Sequence, residues 1–105
     1  MTNAYQAKIE ASKQPKNWNT VRRILQYIIL GVRNRDDTAT MTSKLNARGI
    51  KPLVSSRWTV NSLQMQIRFI ANLKGDSSLG RAFEYMLRTG EATAADMVLF
   101  QDRVR

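Results

Sequence analysis

Apolar residues recur every three or four positions along most of this chain, the spacing that gathers them on one face of an α-helix. Trp18, Val21, Leu25, Ile28 and Val32 form the first such stripe, widened by Ile24 and Tyr27. The pattern predicts a helix over Asn17 to Arg33, capped by Asn17 or Asn19. Arg22, Arg23, Gln26 and Arg33 fall largely off the stripe. A second helix is predicted from Asp36–Asp37, whose charges complement a helix N-terminus, to about Arg48. Met41 and Leu45 face inward, four apart. Gly49 stands where helices end in a left-handed residue, and Ile50 where that ending takes an apolar contact back onto Leu45.

A linker from Ile50 to Arg57 contains Pro52. Thr59 then caps a third predicted helix, Val60 to Lys74, stopped by Gly75. Its inward stripe is Val60, Leu63, Ile67 and Ile70, with Phe69 and Leu73 beside it. A fourth helix, Leu79 to Thr89, carries Leu79, Ala82, Phe83, Met86 and Leu87 on one face and stops at Gly90. Thr93 and Asp96 approximate a capping box for a fifth, Ala94 to Val104, with Met97, Phe100 and Val104 inward and Val98 beside them. Residues Met1 to Lys16 read as a basic arm, and no alternating stretch is long enough for a sheet. The expected fold is all-α, one compact domain of about five helices. It comprises an arm (1–16), a helix-turn-helix-like unit (17–75) and a C-terminal helical pair (76–105).

Composition narrows the chemistry. The chain has no His and no Cys, which closes imidazole-assisted nucleophiles, zinc sites built on those residues, and disulfides. Ser12–Lys13 and Ser43–Lys44 are neighbours in sequence, and adjacent helix positions do not face each other, so no Ser–Lys dyad is expected. Asp36–Asp37 reads as a dipole partner and not as a metal site. No enzyme activity, metal or cofactor is expected. The N-terminus lacks an apolar signal core and the densest apolar run, Ile24 to Val32, is too short to span a bilayer. A soluble cytoplasmic protein without membrane attachment is the expectation.

Charge points to a partner. The 105 residues hold 17 Lys+Arg against 8 Asp+Glu, a net charge of +9. Met1 to Gly75 holds 13 basic and 3 acidic residues, whereas Asp76 to Arg105 holds 4 and 5. An excess confined to the first three-quarters suggests a polyanion, because neutralised phosphates release condensed counterions. The third helix suits base readout. Amides pair with adenine, Arg pairs with guanine, and Met touches a thymine methyl. The expected base contacts are Asn61, Gln64, Met65 and Arg68. The expected backbone contacts are Lys8, Lys13, Lys16, Arg22, Arg23, Lys44, Arg48, Lys51, Ser55, Ser56, Arg57 and Thr59.

The segment Val21 to Ile70 resembles the recombinase helix-turn-helix region of large serine recombinases. Leu45-Asn46-Ala47-Arg48-Gly49-Ile50, a linker, Trp58-Thr59 and the spaced aliphatics Leu63, Ile67 and Ile70 carry the resemblance. It implies a DNA-contacting helix at Val60 to Lys74 and a linker near the backbone. The family's linker Gly is replaced by Val54-Ser55-Ser56, and nothing here resembles its catalytic domain. DNA binding without strand cleavage follows, as a transcriptional regulator or recombination accessory factor in a phage or plasmid setting.

Trp18 and Trp58 read as core plugs, with base stacking the competing role for Trp58. The near-neutral tail is expected to form a homodimer through Phe83, Met86, Leu87, Met97, Phe100 and Val104, doubling the DNA site. The competing account folds these helices back onto the first. A different class of function also fits the charge: a phage-type interaction module or inhibitor docking on an acidic protein surface. RNA binding lacks the exposed aromatic platform that unpaired bases stack on.

Overall fold

The computed structural model describes residues 18–73 and 77–104, so the predicted arm, with Lys8, Lys13 and Lys16, lies outside the described residues. Five α-helices follow in order: α1 Trp18–Arg33, α2 Thr38–Ala47, α3 Val60–Ala71, α4 Ser78–Thr89 and α5 Ala94–Arg103. Among the described residues there is no strand, and the all-α class is observed.

Each helix boundary has a local cause. Asp37 caps α2, its carboxylate accepting the Thr40 backbone N–H at 2.7 Å. The helix therefore starts at Thr38, and Asp36 lies before it and pairs with Lys44 at 2.8 Å. At the other end Gly49 adopts φ 70°. Its N–H donates to the Asn46 carbonyl, and the Ile50 N–H donates to the Leu45 carbonyl at 3.0 Å. This is the paired bonding of a Schellman ending, with Ile50 buried as expected. The end of α1 repeats the pattern without glycine: Asp36 N–H donates to Gly31 O, Arg35 N–H to Val32 O, and Arg35 holds φ 60°. The predicted Val60–Lys74 helix is shorter than expected, ending at Ala71, with Leu73 at φ 49°.

Packing is shared by all five helices. α1 lies chiefly against α4 and α5, α3 against the same pair, and α2 against α3 and one end of α1. Gly31 permits the last contact, since a Cβ there would come within 2.4 Å of the Met41 sulfur. Val21, Leu25 and Ile28 of α1 and Leu63, Ile67 and Ile70 of α3 belong to one core that includes Phe83 and Phe100, whose rings touch edge-on at 5.0 Å. Trp18 is only partly buried and stands edge-on to Tyr85 at 4.9 Å.

The tail residues expected at a dimer seam sit within the core of a single chain: Phe83, Met86 and Phe100 are buried in it, and Leu87, Met97 and Val104 pack against it. Two broad stripes, on α1 and α3, need more cover than α2 supplies. The apolar faces of α4 and α5 supply that cover, and Val98 of α5 stays 51% exposed.

A two-pronged ion pair joins α5 to α1. Arg33 grips Asp96 with Nε and Nη2, both at 2.7 Å, and Asp96 also accepts the Thr93 N–H at 2.9 Å in the capping box of α5. The Arg33 hydrogen bonds hold the buried Asp96 carboxyl below the usual carboxylate range. The Thr40 N–H does the same for the exposed Asp37.

Two predictions follow from these contacts. A carboxyl with a lowered folded pKa adds stability that is fully present above its unfolded value, about 4, and is lost as pH falls through the folded one. Urea unfolding should thus give a free energy insensitive to this pair from pH 7 to 5 and declining below about pH 4. Asp96→Asn should shrink that decline and cost about 1–2 kcal/mol at pH 7, less than a fully buried pair because Arg33 is half exposed. An acid limb unchanged in Asp96→Asn would contradict this. Separately, Arg35→Gly should relieve the left-handed strain and stabilise the protein by about 0.5–1 kcal/mol, read as a higher Tm, after the added flexibility of the unfolded chain is subtracted.

Candidate nucleic-acid interface

The α2–α3 connection is long, yet it is fastened at both ends. The Asn46 side-chain amide clamps the Trp58 backbone: Nδ2 donates to the Trp58 carbonyl at 2.9 Å and Oδ1 accepts its N–H at 2.8 Å. The Trp58 indole is buried and its Nε1–H donates to the Ile50 carbonyl at 2.8 Å. Thr59 and Ser62 then form a reciprocal capping box, each side-chain oxygen accepting the other's backbone N–H. These bonds fix how α3 leaves the linker. They also place Trp58 in the core and away from any stacked base.

The predicted base-contact face divides. Asn61, Met65 and Arg68 are exposed, with Met65 at 50%, and together with Asn72 they form one continuous stripe on α3. Gln64 is set to one side. It is half-buried, and its Oε1 accepts a hydrogen bond from Thr38 Oγ1 at 3.0 Å, which ties it to α2. The stripe lines none of the clefts that hold the basic residues.

The predicted backbone contacts divide as well. Arg22, Arg23, Arg33 and Arg48 surround an open groove of about 750 Å³ with Gln26, Tyr27 and Leu30. Arg23 also borders a second cleft with Lys51, Pro52 and Leu53, and Lys51 a third with Asn46, Ser56 and Arg57. A contiguous basic band thus runs from α1 across the end of α2 to the linker. Within it Arg22 is paired with Glu91 at 2.7 Å and Arg48 lies over the Tyr27 ring at 5.3 Å. Among the described residues Arg23, Lys51, Arg57 and Arg68 form no ion pair. Lys44 is held by Asp36, the Thr59 hydroxyl is spent on its cap, and Ser55 donates to the Arg57 carbonyl at 3.2 Å.

Sequence reasoning missed two features. Asn46 entered only as a motif letter, although an amide at the penultimate position of α2 and a Trp twelve residues on was the signal for the clamp. The second is an absence of acids. From Thr38 to Gly75 the chain contains no Asp or Glu and six Lys or Arg, so α2, the linker and α3 form an acid-free run. Among the described residues no group of three or more Asp or Glu could hold a metal, and no helix is long and apolar enough to cross a membrane.

Comparison of the chain with protein-family models, curated proteins and solved structures found no match. The likeness to serine recombinases therefore rests on the motif, whose letters each have a structural task here.

Asn46→Ala should cost about 1–2 kcal/mol in urea unfolding, the scale for leaving buried backbone groups unpaired. It should also speed hydrogen exchange at the Trp58 amide selectively. Exchange at Trp58 that tracks global unfolding in both proteins would show that the clamp does not hold the linker.

Proposed function

We propose that the protein binds double-stranded DNA sequence-specifically, as a regulator or recombination accessory factor. The observation that carries this reading is the acid-free run Thr38 to Gly75, in which Lys51 and Arg57 share a cleft and α3 exposes Asn61, Met65 and Arg68. An exposed helix face is what the major groove, about 12 Å wide, admits. Asn61 and Arg68 supply hydrogen-bonding ends for adenine and guanine, and Met65 an apolar one for a thymine methyl. Gln64 reaches a base only by leaving Thr38 or through its free amide nitrogen. Arg23, Arg48, Lys51 and Arg57 fit phosphates, which fix register without reading sequence. The role is binding, not catalysis. A homodimer built on the α4–α5 core residues is not part of it.

One feature favours a second reading. Leu30 is 51% exposed amid the α1 arginines, beside Tyr27. A phosphate backbone has no use for that apolar floor, whereas an acidic amphipathic segment of a partner protein does.

Selection of bound sites from random DNA by the full chain separates the two. DNA binding predicts an enriched motif. Arg68→Ala should lose roughly 1–3 kcal/mol on the selected site and little on scrambled DNA. Lys51→Ala and Arg57→Ala should weaken both and reduce the salt slope by about one each. No enrichment, and no retained DNA at low salt, would remove DNA as the partner and leave the acidic protein.

A further inference from the structure

The linker tip carries apolar surface that the fold does not use. Val54 is 95% exposed and Leu53 40%, although the neighbouring positions are filled by Ser55 and Ser56, the residue type a solvated loop ordinarily holds. The tip is not loose at its roots. The Asn46 clamp, the Trp58 indole bond to Ile50 and the Ser55 bond to the Arg57 carbonyl fasten the segment, and it lies along Ser62, Gln66 and Leu79. Lys51 and Arg57 flank it, Arg23 lines the cleft beside it, and no acid occurs in the surrounding run. An apolar point is thus presented between unpaired cations, immediately ahead of α3.

We propose that this loop is a minor-groove wedge. With α3 in the major groove, Leu53 and Val54 press into the neighbouring minor groove and partly unstack a base step, while Lys51 and Arg57 neutralise the phosphates on either side. Apolar side chains inserted in this way bend the duplex toward the major groove. Five residues lie between Val54 and Val60, so the tip stays close in sequence to the start of α3. Charge selects the occupant, since two cations bracketing an apolar tip match a groove walled by phosphates. This inference rests on the DNA reading above.

The test uses the full chain and its selected site, with bending read from circularly permuted fragments and unstacking from 2-aminopurine placed at successive steps. The wild-type chain is expected to bend the site by about 20–90° and to raise fluorescence at one step. Leu53→Ser with Val54→Ser, compared at protein concentrations that saturate the site, should abolish both signals and leave Tm unchanged, because neither side chain is in the core. Leu53→Ile should keep the bend. A bound but straight site, or equal bending by the double-serine variant, overturns the wedge and leaves DNA binding standing. A wild-type chain that retains no DNA overturns both. Sedimentation with phosphatidylserine vesicles that the double-serine variant loses, in the absence of bending, assigns the tip to a lipid surface and also overturns it.

Discussion

The indole of Trp58 decides the shape of the surface that α2, the linker and α3 present. It is buried beneath the linker, and burying an indole N–H requires a partner. The Ile50 carbonyl is that partner, and it is within reach only because α2 ends at Gly49 in a left-handed turn that brings Ile50 back over Leu45. Asn46 then satisfies both backbone groups of Trp58. Helix end, plug and clamp are interdependent. Removing any of them frees the start of α3, and with it the direction of the stripe that carries Asn61, Met65 and Arg68.

Local chemistry made the five helices readable. Periodicity located the stripes, except that Val60, expected inward, is exposed at the start of α3; the caps at Thr59 and Thr93 and the stops at Gly49 and Gly90 were legible because each motif acts within a few residues of itself. The ends that shifted did so where a side chain substituted for the expected signal. Asp37 capped α2 where charge alone had suggested a first turn, and Leu73 took a left-handed conformation ahead of the expected glycine stop. Long-range partnership was not legible. Nothing in the pattern of α4 and α5 distinguishes an apolar face that meets α1 from one that meets a second copy. The decision lies in the width of the α1 and α3 stripes, which is a property of the assembled core.

The site was legible by residue type and not by arrangement. The amide-rich stripe of α3 was visible in its spacing, but the diversion of Gln64 to Thr38 depends on how closely α2 crosses α3. Pairing of cations was equally invisible. Arg22, Arg33 and Lys44 lie among unpaired basic residues in sequence, and only the fold brings Glu91, Asp96 and Asp36 to them.

Those pairings reshape the charge map. In sequence, the positive excess covers the first three-quarters of the chain evenly. In the fold, two acids of the C-terminal part pair with α1: Glu91, between α4 and α5, with Arg22, and Asp96 with Arg33 through both carboxylate oxygens. α1 is neutralised along the side that meets the C-terminal pair. The run from Thr38 to Gly75 has no acid of its own, and among the described residues its one ion pair joins Lys44 to Asp36, just ahead of α2. Arg23, Lys51 and Arg57 are left unpaired around the clefts they share. A concentrated field orients an approaching polyanion as well as attracting it, because clustered charge steers encounter toward one face. Two acids of the tail thus shape the positive field from a distance: by pairing with Arg22 and Arg33, they leave the unpaired cations of the linker and α3 as its remaining part.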